Sequence, residues 1–156
     1  MNSPEFIETV LVAVNETLRT ARVERIKRFA RVLSYELVYG NKVTTSEDAT
    51  TYIRTLSELA EADLSVLSTM YQFQANLDLE YIALYGVPLI LEPMRQTVIE
   101  AKARGILREE LYSRCSCLTG YGLVLQMDKS RFNASPDEFV FLLTSSGRKL
   151  IQILQT

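Results

Sequence analysis

Apolar residues recur every three or four positions along residues 3–39, which is the spacing that builds one apolar face on an α-helix. Ser3, Pro4 and Glu5 form a good helix start, because they supply a serine cap, a proline in the first position and an acid in the first turn. No strong helix breaker follows before Gly40. We therefore predict one long helix over 3–39, with an apolar stripe made of Ile7, Leu11, Val14, Leu18, Ile26, Phe29, Leu33 and Leu37.

Arg22 falls where this stripe should continue. Either the stripe is interrupted there, by a bend or by an ion pair across an interface, or the arginine stem lies along the edge of the apolar face. A lone helix of such length is not stable in water unless its stripe is buried, against another chain or against the protein's own core. We predict self-association, most simply a homodimer, through the residues Ile7, Leu11, Val14 and Leu18.

The helical pattern continues through the middle of the chain. Thr44, Thr45 or Ser46 caps a second helix over 46–60, and a third helix begins near Asp63. Because Pro88 and Pro93 frame the apolar run 89–91, we expect that run to be extended, with a short helix from Pro93 to Gly105. A further helix is predicted over about 107–118.

The pattern changes after Gly120, where two short apolar runs read as β-strands at about 122–127 and 139–144. The polar segment between them reads as a hairpin loop, and Thr144, Ser145 and Ser146 cap a final helix. The predicted fold class is therefore mainly α with a small β-hairpin (α+β). It divides into a helical region, 1–62, and a C-terminal domain, 63–156.

Residues 63–156, or residues 93–156 if the segment before Pro93 is set aside, resemble bacterial winged helix-turn-helix domains. The residues that carry the resemblance are Leu111, Leu118, the motif Gly122-Leu123-Val124, and the motif Leu143-Thr144-Ser145-Ser146-Gly147 with the residues that flank it. The resemblance implies a helix-turn-helix followed by a wing, and it leaves function open, because such domains read DNA, bind proteins or form dimer interfaces. Residues 24–33, 56–59 and 63–67 resemble uncharacterised bacterial proteins, which implies no activity.

The composition argues against an enzyme. The chain has 17 Lys and Arg residues, 19 Asp and Glu residues and no histidine, which excludes Ser-His-Asp or Cys-His catalysis and histidine-ligated metals. It contains no Gly-rich phosphate loop. We therefore expect no catalytic residue, no cofactor and no metal. Cys115 and Cys117 read as reduced thiols. Because neither a signal peptide nor a membrane-spanning run is visible, we expect a cytoplasmic protein without a membrane partner.

The helix over 107–118 is the candidate DNA reader under the winged-helix resemblance. A helical wheel places Leu107, Leu111, Cys115 and Leu118 on its core face. The outward face then carries Glu109, Tyr112, Ser113 and Ser116.

The candidate DNA contacts are Arg108 and Arg114 on the helix margins and Lys129 and Arg131 in the wing, to which Arg148 and Lys149 could add. An outward glutamate repels phosphate. We therefore expect a non-catalytic protein-interaction or regulatory module, with a DNA-binding transcriptional regulator as the alternative.

Overall fold

The computed structural model describes residues 4–19, 23–39, 46–77, 88–127 and 138–155. It confirms a mainly helical protein with one small two-stranded antiparallel sheet. The helices within these ranges are α1 (Pro4–Arg19), α2 (Val23–Tyr39), α3 (Ser46–Glu58), α4 (Glu61–Gln74), α5 (Pro88–Ala103), α6 (Arg108–Gly120) and α7 (Ser145–Gln155). The strands are β1 (Val124–Gln126) and β2 (Phe141–Leu143).

The chain divides into two compact units. The first unit comprises Met1–Leu59 together with Gln152–Thr156, and the second comprises Ala60–Ile151. Helix α7 therefore begins in the second unit, and its last residues belong to the first.

The first unit does not show the single helix predicted over 3–39. It contains α1 and α2, of 16 and 17 residues, and both helices pack against α3. A straight helix over 3–39 would be about 55 Å long, whereas α3, with 13 residues, measures only about 20 Å. Two shorter helices can each bury a face on α3, which one long helix could not do. Arg22 lies outside the described residues, so its role stays a prediction.

The core of the first unit is apolar and centred on α3. Its fully buried side chains include Phe29, Val32, Ile53 and Leu56. Arg25 supports the end of α3, because its guanidinium donates hydrogen bonds to the carbonyl oxygens of Ser57 and Leu59, at 2.8 and 3.0 Å. These bonds satisfy carbonyl groups that the end of a helix leaves without partners.

In the second unit, α4 packs against α5, α6 and β2. The extended conformation predicted for residues 89–91 is wrong, because α5 begins at Pro88 and continues through Pro93. Four side chains of α5 are buried at helical spacing, namely Ile90, Met94, Thr97 and Ala101. Burial of this face outweighs the one backbone hydrogen bond that Pro93 cannot donate.

Residues 104–107 form the turn between α5 and α6. Gly105 has a φ of 85°, a left-handed conformation that favours glycine, and its N–H donates to the carbonyl of Lys102 at 3.0 Å. The helix end predicted at Gly105 is therefore found within two residues of that position, and the following helix occupies 108–120 rather than 107–118.

The two strands pair antiparallel, with Val124 opposite Leu143 and Gln126 opposite Phe141. Thr144 follows β2 directly and caps α7, as predicted, because its Oγ accepts a hydrogen bond from the N–H of Gly147 at 3.1 Å. The same hydroxyl donates to the carbonyl of Gly122 at 2.7 Å. One threonine therefore links the start of α7 to the residues that precede β1.

Gly147 packs so closely on the start of β1 that no side chain fits. A Cβ atom there would lie 2.2 Å from the carbonyl oxygen of Leu123 and 2.8 Å from Cδ1 of Leu143. Gly147, the last residue of the motif Leu143–Gly147, is thus required by packing.

Candidate functional site

The outer side of α1 carries three exposed apolar side chains, Ile7, Leu11 and Val14, which we call the α1 face. Their exposed fractions are 50%, 58% and 50%. They follow one another at intervals of four and three residues, so they lie along one side of the helix. Leu18, the fourth predicted member, lies in α1, but its side chain is outside the described part of the chain.

The other side of α1 is buried by residues that the apolar pattern did not single out. Thr9 and Ala13 are almost fully buried, and the Oγ atoms of Thr9 and Thr50 lie 3.3 Å apart, which joins α1 to α3. Small side chains at positions 9 and 13 allow the two helices to approach closely. The α1 face is therefore left exposed because α1 packs on its neighbours through a different set of residues.

Glu36 of α2 is a buried carboxyl beside this contact. Its Oε2 atom has no hydrogen-bond partner among the described residues. Burial raises the pKa of Glu36 above the usual glutamate value, while a hydrogen bond with Thr9 acts in the opposite direction. The packing of α1 on α2 and α3 thus includes one carboxyl whose pKa is raised by burial.

Two charged groups border the α1 face. Glu8 is exposed near the start of α1, and Arg19, whose side chain is 78% exposed, occupies the last turn. At 100° per residue both lie along the same edge of the α1 face, near its opposite ends. The Nη1 atom of Arg19 is also 3.6 Å from Oε1 of Glu16, a pairing that remains open to solvent at the arginine.

The second candidate surface is the outer side of α6. Glu109, Tyr112, Ser113 and Ser116 are all exposed there, as the helical wheel predicts. Three of the four predicted core residues are fully buried, namely Leu111, Cys115 and Leu118. Leu107 was assigned to the core wrongly: it is 63% exposed, because it precedes the first residue of α6 and does not follow the helical spacing.

Arg114, one of the four predicted DNA contacts, is held by two carboxylates of the second unit. Its Nη1 atom lies 3.0 Å from Oδ1 of Asp63, and its Nη2 atom lies 2.9 Å from Oε1 of Glu110. The hydrogen bond with Asp63 is the largest cause that raises the pKa of Arg114. Asp63 also accepts a hydrogen bond from the N–H of Ala60 at 2.9 Å, so this arginine ties α6 to the start of α4.

The other basic residues differ in their surroundings. The guanidinium carbon of Arg108 lies 5.7 Å from the centre of the Phe139 ring. Arg148 points towards the end of α4, where it donates hydrogen bonds to the carbonyls of Leu77 at 2.7 Å and Ala75 at 3.4 Å. Desolvation by burial lowers the pKa of Arg148. Lys129 and Arg131 lie outside the described residues, so their part in a basic surface stays a prediction.

The two cysteines are free thiols in different environments. Cys117 is exposed, whereas Cys115 is buried, with its Sγ 4.0 Å from Sδ of Met70. Burial raises the pKa of Cys115 to about 12, so this thiol stays protonated at neutral pH. Among the described residues, no three His, Cys, Asp or Glu side chains are grouped to hold a metal ion.

No protein-family model matches the chain, and neither a curated protein nor a solved structure matches it significantly. Within the described residues, none of the helices combines the length and the apolar character that crossing a membrane requires.

Proposed function

We propose that the protein is a non-catalytic interaction module that self-associates through the α1 face. The observation that carries this proposal is the half-exposed, helically spaced row of Ile7, Leu11 and Val14 on a helix whose other side is already buried. Contiguous exposed apolar surface costs free energy in water, and covering it favours association.

A second copy of the chain is the partner that fits this face. When two α1 helices pack antiparallel about a two-fold axis, Leu11 of one copy lies against Val14 of the other. Glu8 of each copy then lies near Arg19 of the other, because the two residues share one edge of the face at opposite ends. The helix dipoles are also antiparallel in this arrangement, which is favourable.

The α1 face needs additional surface to form a stable dimer. A typical stable interface buries about 800 Å² on each partner, and a helix of 16 residues is only about 24 Å long. Val23 and Ile26, in the first turn of α2, are also exposed apolar residues of the first unit. We infer that they extend the interface beyond α1.

Sedimentation of the full chain at micromolar concentrations tests this proposal. We expect a reversible dimer, and we expect Leu11→Glu to shift the equilibrium to monomer, because a charge would be buried in the interface. Leu107→Glu is the matched control, since Leu107 is a similarly exposed leucine that belongs to the second unit. A monomeric wild-type protein, or equal effects of the two variants, would contradict the assignment of the α1 face.

DNA binding by the second unit is a second candidate function. It is favoured by the arrangement of α5, a turn at Gly105 and α6, followed by an antiparallel strand pair, together with the resemblance to winged helix-turn-helix domains. The engagement of Arg114 by Asp63 and Glu110 weakens this candidate, because that arginine already has partners within the protein.

Binding to a mixed-sequence DNA duplex, measured against salt concentration, tests the second candidate. If the protein binds DNA, affinity falls steeply with salt, and the double variant Lys129→Glu, Arg131→Glu abolishes binding. Self-association through the α1 face should be unaffected by that variant. Absence of salt-sensitive binding at low ionic strength would eliminate the DNA-binding candidate and leave the self-association proposal intact.

A further inference from the structure

Strand β1 forms one edge of the two-stranded sheet. The N–H of Met127, which directly follows β1, donates to the carbonyl of Val140 beside β2 at 2.9 Å. Backbone groups point to alternate sides along an antiparallel strand, so the N–H and C=O groups of Leu125 are also turned towards β2. The N–H and C=O groups of Val124 and Gln126 therefore point away from β2, in the plane of the sheet.

This edge of β1 is open to solvent. Among the residues that the structure describes, no hydrogen bond from another residue reaches the backbone of Val124 or Gln126. Gln126 is exposed, and the side chain of Leu125, between the two, is 51% exposed. On β2, by contrast, α4 packs against the strand. Strand β1 thus offers exposed backbone donors and acceptors to a further strand.

The edge lacks the features that usually protect an open strand. Natural edge strands are commonly guarded by a charged residue, a proline or a bulge. Residues 123–127 contain no charged residue and no proline, and the register of β1 with β2 is continuous. Leu125 lies opposite Leu142, which packs in an apolar cluster with Ile90 and Val140. An added strand with an apolar residue beside Leu125 would extend this apolar row.

We propose that β1 pairs antiparallel with β1 of a second copy of the chain, about a two-fold axis that passes beside Leu125. The N–H and C=O groups of Val124 then exchange hydrogen bonds with those of Gln126 in the second copy, and the reverse exchange follows by symmetry. The two Leu125 residues meet at a position without hydrogen bonds, where opposed side chains are closest. The result is one sheet in the order β2, β1, β1, β2, and a wider sheet is more stable than an isolated strand pair.

A second copy fits this edge because the strand is self-complementary. In the proposed register Leu125 meets Leu125 and Val124 meets Gln126, so no charge is buried and no like charges are opposed. A strand of three residues is only about 10 Å long, far short of an interface that buries about 800 Å² on each partner. The contact is therefore weak, with a Kd of about 0.1–1 mM. It does not depend on the α1 face.

NMR of the full chain over a concentration series up to about 1 mM tests this proposal. We expect saturable downfield shifts of the amide protons of Val124 and Gln126 as their hydrogen bonds form. The amide proton of Leu125 already faces β2 and should move much less. In a mixture of ¹³C-labelled and unlabelled protein, an isotope-filtered NOE should connect the Hα atoms of Leu125 in the two copies, because opposed Cα atoms at such a position are about 4.5 Å apart.

Charge at the two-fold axis shows whether the partner is a second copy. Leu125→Lys and Leu125→Glu should each abolish the shifts of Val124 and Gln126, because pairing would set like charges directly opposite each other. An equimolar mixture of the two variants should restore the shifts. Ile99→Lys is the matched control, since Ile99 is an exposed apolar residue of the same unit that lies on α5. Gln126→Pro removes an outward donor, keeps the bonds to β2, and should also abolish pairing.

The proposal is overturned if the amides of Val124 and Gln126 do not shift up to about 1 mM, if Leu125→Lys shifts as the wild type does, or if the mixture of the two Leu125 variants shows no recovery. Shifts that appear only after addition of an unrelated strand-forming peptide, such as Thr-Val-Thr-Val-Thr, would also overturn it and assign the edge to another protein. Leu11→Glu should leave these shifts unchanged, so the α1 face and the β1 edge are tested separately.

Discussion

The side-chain amide of Gln74 pairs with the backbone of Leu143 as a neighbouring strand would. The N–H of Leu143 donates to Oε1 of Gln74 at 2.8 Å, and Nε2 of Gln74 donates to the carbonyl of Phe141 at 3.0 Å. Leu142, between them, is paired with Leu125 of β1 in the register of the sheet. One fully buried glutamine of α4 therefore satisfies the edge of β2 that β1 leaves unpaired.

Replacing Gln74 by leucine should destabilise the second unit strongly. Gln74→Leu preserves most of the volume but leaves two buried backbone groups without partners, at a cost of about 1–3 kcal/mol each. Urea unfolding measures the loss. Gln72→Leu, at an exposed position of the same helix, should change the free energy of unfolding by less than about 0.5 kcal/mol. Equal stability of the two variants would show that the Gln74 amide does not hold β2.

Gly147→Ala should destabilise the protein, although alanine is the better helix former. A Cβ atom at this position meets the backbone of Leu123, which cannot move without shifting β1 against α7. We expect a loss of about 1–3 kcal/mol in thermal or urea unfolding, as for other overpacked sites. At the end of α6, Gly120→Ala has open space and should be neutral or stabilising. A stabilised Gly147→Ala protein would contradict the close packing described here.

Glu36 should make the stability of the first unit depend on pH. Because its pKa is raised in the folded state, the folded protein holds the proton more tightly than the unfolded chain does. The resulting stabilisation is fully present below the ordinary glutamate pKa and is lost as the pH rises through the raised value.

The variant Glu36→Gln should remove this dependence. Its melting temperature, measured by circular dichroism, should exceed that of the wild type by a margin that grows from pH 4 towards pH 8. Glu5→Gln removes an exposed carboxyl from α1 that takes no part in the proposed interface, and it serves as the control. A constant difference between Glu36→Gln and the wild type across this range would rule out titration of Glu36 as the cause.

Asp63→Asn should weaken the second unit more than Glu110→Gln does. Asp63 is buried, pairs with Arg114 and caps the start of α4, and hydrogen bonds to charged groups contribute about 1.5–3 kcal/mol. Glu110 is an exposed partner of the same arginine, and exposed pairs contribute about 0–1 kcal/mol. Urea unfolding of the two variants compares their losses of unfolding free energy. A larger loss for Glu110→Gln would show that Arg114 stabilises the unit mainly through its exposed pair with Glu110.

Local signals predicted the parts of the fold that depend on neighbouring residues. The cap at Thr144, the helix end near Gly105 and the buried face of α6, with Leu111 and Cys115, are all found. Each of them follows from a few consecutive residues or from the helical repeat. Caps, helix ends and helical periodicity can therefore be recognised in the sequence without knowing which distant residues come into contact.

The features that the sequence analysis missed depend on distant partners. Arg114 is separated from Asp63 by 51 residues, and Arg148 from Leu77 by 71. Their charges suggested contacts with DNA at the surface. In the folded protein, however, Arg114 lies beside the carboxylate of Asp63, and Arg148 lies beside the end of α4. Glu36 was also unexpected in a core, because apolar periodicity assigns charged residues to the outside.

The same limit explains the two errors in helix assignment. The stripe over 3–39 is regular enough for one helix, yet burial of both α1 and α2 on α3 produces two. Pro93 suggests a break, yet burial of Ile90 and Met94 on the same face carries the helix through it. In both cases, packing between elements outweighs a local preference.

The turn at Gly105 restricts the handedness of the residue there but not its size. Its φ is 85°, and a Cβ atom would meet nothing within 4 Å. A mirror-image residue prefers this backbone conformation, so D-alanine placed here by chemical ligation should fit without a clash. Since it would also restrict the unfolded chain, it should stabilise the turn by about 0.4–1 kcal/mol, whereas L-alanine, of equal volume, should destabilise it.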